Sequence, residues 1–189
     1  MQLHLIRHPR PAVEPGICYG QTDLGLAESA TAVAERLRPL LPESFALHAS
    51  PLARARLLAE ALGAPTLDDR LREIHFGEWE GRSYADIGSA IDDWAADPLG
   101  FRAPGGESPR EMAARVLAWL DDTLPAEHPP TTDTPLPLVI VAHGGPLRAI
   151  AGHLLGLHPE RWLGLDFGCG QVTRIDVERW GVVLKWFNR

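Results

Sequence analysis

Apolar residues fall along this chain in two rhythms. Short apolar runs, Leu3-His4-Leu5-Ile6, residues 45–49 and Leu138-Val139-Ile140-Val141-Ala142, have the length of strands. The last is apolar on both faces, as expected of a central strand in a parallel sheet. Other stretches repeat every three to four residues. Ala30, Val33, Ala34 and Leu37 mark a helix within residues 26–40, stopped by Pro39 and Pro42. Ser50-Pro51 predicts a second helix, with serine as N-cap and proline in the first turn, running to Leu62 and closed by Gly63. Residues 66–68 read as a short strand, and residues 71–81 are too glycine-punctuated for one regular element. A helix is expected over 83–94, and Pro104-Gly105-Gly106-Glu107 is a turn. Ser108-Pro109-Arg110-Glu111 is a capping box that opens a helix to about Leu124. A further helix over 145–155 ends at Gly156, and residues 171–177 and 182–187 form a hairpin around Trp180-Gly181. Strand and helix alternate. The expected class is α/β, a mostly parallel central sheet with helices on both faces and a C-terminal hairpin.

Composition narrows this picture. A length of 189 residues, 45% hydrophobic and 23% charged, suits one domain over 1–189 with a packed core. Residues 125–137, rich in Pro and Thr, read as a surface connection. The net charge of -7, with no basic block, argues against nucleic acid or an anionic membrane as partner. Two cysteines, Cys18 and Cys169, imply no disulfide framework and fit a reducing, cytoplasmic compartment. No signal peptide is expected at the N-terminus, and no apolar run is long enough to span a bilayer. No feature points to an oligomeric state.

Candidate chemistry sits where strands end. Arg7-His8 directly follows the first strand and His143 follows the central one, each histidine trailed by Pro or Gly. Ligands of open parallel sheets bind at those carboxyl ends. An arginine beside an imidazole suits an anion and chemistry upon it, although a surface pair at a strand end has the same sequence. Arg54 falls in the first turn of its helix, where a cation is disfavoured unless an anion is bound. A solvated helix face is the alternative, and Arg56 is read that way. Gly144 and Gly145 let the backbone approach a ligand closely, while His143 alone could be a satisfied strand-end histidine. Glu73, Glu78 and Glu80 are three nearby acids, any of which could be a solvated loop charge. His4, His75, His153 and His158 show no metal-ligand spacing and are read as structural or surface residues, so no metal and no cofactor is expected.

Taken together, these motifs resemble the histidine phosphatase superfamily, the branch with phosphoglycerate mutases and cobalamin-pathway phosphatases. They are Leu5-Ile6-Arg7-His8, then Ser50-Pro51-Leu52-Ala53-Arg54-Ala55, then Leu71-Arg72-Glu73 leading into Phe76-Gly77-Glu78-Trp79-Glu80-Gly81. Pro104-Gly105-Gly106-Glu107-Ser108 and Ala142-His143-Gly144-Gly145 complete a set in family order over most of the chain. The resemblance implies that His8 is the nucleophile that becomes phosphohistidine. It implies that Arg7, Arg54 and His143 hold the phosphoryl oxygens, and that Glu73 donates and accepts the proton. Tyr19-Gly20-Gln21-Thr22-Asp23, the Phe-Gly-x-Trp-Glu-Gly run and the short chain bring it nearest to the α-ribazole phosphatases of cobalamin synthesis. The family's usual glycine after the histidine is Pro9, its following Thr and Asn have no clear counterparts, and its common Thr in the Arg54 helix is Leu58.

The expected function is a metal-independent phosphomonoesterase acting on a small phosphorylated metabolite, α-ribazole 5′-phosphate first. An imidazole flanked by two guanidiniums should stay neutral and nucleophilic, and the same positive field stabilises the transferring group. The main rival is a broad-specificity or sugar-phosphate phosphatase on the same site. A mutase is disfavoured, because the long insertions of phosphoglycerate mutases are absent. A non-catalytic phosphate-binding module is the rival of another class, against which the pair His8 and Glu73 counts.

Overall fold

The computed structural model describes residues 1–124 and 136–189; most of the connection expected over 125–137 lies outside the described residues. Six strands form one sheet in the order β3-β2-β4-β1-β5-β6. They are β1 (Gln2–Arg7), β2 (Ala46–Ala49), β3 (Thr66–Leu67), β4 (Leu138–Ala142), β5 (Val172–Glu178) and β6 (Gly181–Trp186). The first four run parallel, while β5 and β6 are the antiparallel C-terminal hairpin beside β1. The fold is thus the mostly parallel α/β sheet that the patterning predicts.

β4 shows why its sequence needs two apolar faces. Leu138, Ile140 and Ala142 point into one core with Met112, Val116 and Trp119 of α5 (Pro109–Thr123) and Leu147 and Ile150 of α6 (Gly144–Leu154). Val139 and Val141 point the other way, into α1 (Ala30–Leu37) and α2 (Ala53–Leu62). Period-two side chains on a strand buried on both sides leave no polar position. Among the described residues no helix is long and apolar enough to cross a membrane.

Four boundaries move, each because a local group finds a better partner. The helix expected over 26–40 begins only at Ala30, because Ser29 caps it by accepting from the Ala32 N–H. Leu26 is instead bridged to Pro11. The helix expected to open at Ser50-Pro51 starts at Ala53 without a side-chain cap, because Ser50 is engaged elsewhere. The helix expected over 83–94 is broken at Gly88, with φ +63°, into α3 (Tyr84–Ile87) and α4 (Ala90–Ala96). The last helix starts one residue early, at Gly144. The capping box forms as expected, Ser108 and Glu111 bonding each other's main chain.

Candidate active site

Three neighbouring strands deliver the central residues. β1 and β4 pair with Arg7 opposite Ala142, so His8 and His143 emerge side by side, and the His8 N–H donates to Ala142 O at 3.0 Å. β2 lies on the far side of β4, and the Ser50 N–H donates to Val141 O at 3.0 Å. Ser50, His143 and His8 therefore stand in a row at the carboxyl edge of the sheet.

His8 is almost fully buried, and its Nδ1 lies 2.6 Å from Pro9 O. A carbonyl can only accept, so Nδ1 carries the proton and Nε2 keeps a free lone pair. Burial pushes the imidazole down to about 3; the Pro9 hydrogen bond opposes this, and Arg54 and Arg7 add to it. The expectation that two guanidiniums keep His8 neutral is thereby reordered, because desolvation outweighs them. Pro9 does here what any residue would, since its carbonyl and not its missing N–H makes the contact.

Both arginines are anchored by main-chain carbonyls. Arg7 Nη1 donates to Phe167 O at 2.7 Å. Arg54 Nη1 donates to Thr22 O at 2.9 Å and Nη2 to Gly20 O at 2.5 Å, while its guanidinium stacks 5.4 Å from the Tyr19 ring centre. The Nε atoms of both arginines are buried without a protein partner. Burial lowers the pKa of Arg54, yet an arginine stays charged under any ordinary condition. Two cations thus stand near His8 with donors to spare. Arg56, by contrast, makes an exposed pair with Glu60 at 2.8 Å.

His143 is fully buried, its ring centre 5.0 Å from that of His8. Its Nε2 lies 2.7 Å from Ser50 Oγ, and its Nδ1 has no protein partner. The Ser50 oxygen also accepts from the Leu52 N–H at 3.3 Å. Burial, with His8 and Arg54 adding to it, holds the His143 imidazole well below its ordinary range.

Glu73 faces this group from the loop after β3. Its Oε1 accepts from the Ile74 N–H at 3.0 Å and from the Gly145 N–H at 3.1 Å, at the start of α6. A Cβ on Gly145 would collide with that carboxylate oxygen, so the glycine is what lets the acid reach the helix. A Cβ on Gly144 would lie 3.2 Å from Arg148 Nη1 and 3.7 Å from Arg7 Cζ.

The three acids separate cleanly. Glu78 is exposed. Glu80 is not a solvated charge: its carboxylate accepts from the N–H groups of Gln21 at 2.9 Å, Thr22 at 2.6 Å and Phe76 at 3.0 Å, and from the Thr22 hydroxyl. It pins the loop whose carbonyls hold Arg54. Those hydrogen bonds outweigh burial and bring its pKa below the ordinary value.

A cleft of about 500 Å³ opens over these residues, with Arg7, His8, Tyr19, Glu73, Gly145 and Arg148 at its base. Arg54 and His143 are fully buried and do not reach its surface. Its outer walls carry Phe76, Trp94, Leu99, Leu117, Trp162 and Leu163. The sequence reading missed Ser50 as the partner of His143, Tyr19 as the ring over Arg54, and Arg148, whose Nε is fixed by Leu165 O at 2.9 Å. Arg148 follows His143 by five residues on α6, a spacing that itself points it toward the same end. His4 is buried with both ring nitrogens unpartnered, and burial takes its pKa to about 4.

The chain was then set beside known proteins. It is 34% identical to glucosyl-3-phosphoglycerate phosphatase of Mycobacterium tuberculosis over 191 residues, covering 91% of this chain and 82% of that protein. The structure of α-ribazole phosphatase from Shigella flexneri superposes with a TM-score of 0.86 at 25% identity, covering 100% and 96% of the two chains. TTHB049 from Thermus thermophilus superposes at 0.74 with 33% identity, covering 97% of both. The family model of the histidine phosphatase superfamily (branch 1) matches residues 3–189, and this chain, a phosphoric monoester hydrolase, belongs to that family.

Proposed function

We propose that the protein hydrolyses phosphomonoesters through a phosphohistidine on His8, without a metal ion, and that its substrate is α-ribazole 5′-phosphate. The observation that carries the chemistry is the state of His8: a neutral imidazole whose Nδ1 is held by Pro9 O, leaving Nε2 free beside two arginines. In this reading Nε2 attacks phosphorus and the ester P–O bond breaks. Glu73 protonates the departing oxygen, then takes a proton from the water that attacks the P–Nε2 bond. Arg7, Arg54 and the Nδ1–H of His143 hold the phosphoryl oxygens, and Gly144 lets the main chain lie close to them. The arginines supply the charge that a metal would otherwise bring. Glu73 in the same cleft favours turnover over mere phosphate binding, since a binder needs no proton donor.

Apolar outer walls favour a leaving group with an uncharged ring, and the likeness to the Shigella protein agrees. A second reading, a phosphatase of sugar or glycerate phosphates, is favoured by Arg110 and Arg148 in the cleft and by the mycobacterial relative. Turnover of α-ribazole 5′-phosphate, glucosyl-3-phosphoglycerate, 3-phosphoglycerate and sugar phosphates, compared as kcat/KM, separates the two. The first reading expects α-ribazole 5′-phosphate to lead, and equal or better turnover of another substrate overturns it. Activity is expected to survive chelators. Loss with EDTA and recovery with one divalent ion would overturn the metal-independent mechanism.

A further inference from the structure

The turn Pro104-Gly105-Gly106-Glu107 takes no part in the chemistry above, yet Glu107 ends in a dense polar network. Arg115, on α5, donates from Nε to Glu107 Oε2 at 3.1 Å and from Nη2 to Glu107 Oε1 at 2.5 Å. The rest of the guanidinium is spent on the loop that carries Glu73. Nη1 donates to Arg70 O at 2.7 Å and Arg72 O at 2.8 Å, and Nη2 to Glu73 O at 2.9 Å. Glu107 takes the other flank: Oε1 accepts from the His75 N–H at 3.0 Å, and the Glu107 N–H donates to His75 O at 2.9 Å. Both side chains are about four-fifths buried.

A loop without regular structure has carbonyls that must be satisfied individually, and one planar fork satisfies three here. The consequence is geometric. The main chain of Glu73 is bolted to α5, while its carboxylate is tied to the first turn of α6 through Gly145. α5 and α6 pack in one core cluster, so the acid is held at both ends by one rigid pair. Neither Arg115 nor Glu107 lines the cleft.

We propose that Arg115 and Glu107 are positioning residues that hold Glu73 at the distance its proton transfer requires. This rests on the reading of Glu73 as the general acid. A misplacement on the order of 1 Å can cost about 10²-fold in rate, so loosening the loop should act through Glu73 and not through the phosphate end.

The test compares Arg115→Met with wild type and Glu73→Gln, using ribose 5-phosphate, whose alkoxide leaves poorly, and p-nitrophenyl phosphate, whose phenolate leaves without help. Arg115→Met is expected to lower the kcat ratio of the two substrates about tenfold or more. Inhibition by vanadate, a probe of the phosphate end, should stay within about twofold of wild type. Adding Arg115→Met to Glu73→Gln should change the ratio no further, because both act through one group. Glu107→Gln, which keeps one acceptor oxygen, is expected to show the same shift more weakly and serves if Arg115→Met does not fold. Equal slowing of both substrates, or weakened vanadate inhibition, overturns the positioning role. If Glu73→Gln shifts the ratio and the Arg115 and Glu107 variants do not, the positioning role alone falls. If Glu73→Gln leaves the ratio unchanged, the acid is misassigned and both readings fall.

Discussion

The base of the cleft and its outer walls are built on opposite principles. At the base, side chains stand at the ends of three adjacent strands or in the first turns of helices that follow them, and most are buried. Arg7, Arg54, His8 and Arg148 each bond a main-chain carbonyl, so their positions are set by the backbone itself. The outer walls come from short elements: Trp94 on the seven-residue α4, Leu99 beyond it, and Trp162 and Leu163 on a one-sided 3₁₀ turn. Their side chains are only partly buried and make apolar contacts that specify no single geometry. The difference teaches where variation can occur. A charge at the base cannot move without stranding a buried carbonyl, whereas a wall residue can be exchanged at the cost of a few contacts.

Four experiments test that division. His8→Ala removes the one group at the base with a free nucleophilic lone pair, and turnover should fall about 10⁴-fold or more. Rapid quenching with labelled substrate should trap phosphate on His8 in wild type and none in the variant. Label on another residue would break the assignment of the base.

Acid should destabilise the protein through its buried imidazoles. His8 and His4 are held down to about 3 and about 4 in the folded state against 6.5 when unfolded. Below pH 6.5 the unfolded chain binds protons that the folded one refuses, so stability falls as pH falls. Each of the two should contribute about 1.4 kcal/mol per pH unit, His4 down to about pH 4 and His8 down to about pH 3. Chemical denaturation at a series of pH values measures the slope; a flat profile between pH 6 and 4 would mean that these imidazoles are not buried and neutral.

Gly145→Ala places a methyl against the Glu73 carboxylate, which can swing aside. Turnover of alkyl phosphates should drop about 10²-fold while the melting temperature barely moves. Retained activity would show that Glu73 does not act from its place at the start of α6.

Trp94→Ala should have the smallest effect, because it trims a wall. For a substrate with an aromatic leaving group, kcat/KM should fall about five- to tenfold, the worth of one aromatic contact. Inhibition by vanadate should not change. A loss of vanadate binding would erase the distinction between base and wall.

Much of this was legible from residue order, and the exceptions share a cause. The double apolar face of β4, the Ser108 capping box and the ends of β1 and β4 follow from local rules, and the structure has them. Ser50 looks like a helix cap in sequence, since serine before proline favours one. In the fold its hydroxyl meets His143, 93 residues away, and the helix starts three residues later. Glu78 and Glu80 look alike, one exposed and the other gathering three backbone N–H groups. Arg115 looks like one more polar position on an amphipathic helix, yet it satisfies three carbonyls of a remote loop.

The sequence by itself determined the α/β class, the order of the elements and the placing of His8 and His143 at strand ends. Periodicity, capping and chain breaks act over a few residues and so can be read in order along the chain. Only the tertiary structure decided which hydroxyl meets His143, which acid faces the cleft and which arginine holds the loop. A buried polar group must find a partner wherever the fold brings one within about 3 Å, and that distance is a property of the packed sheet and helices.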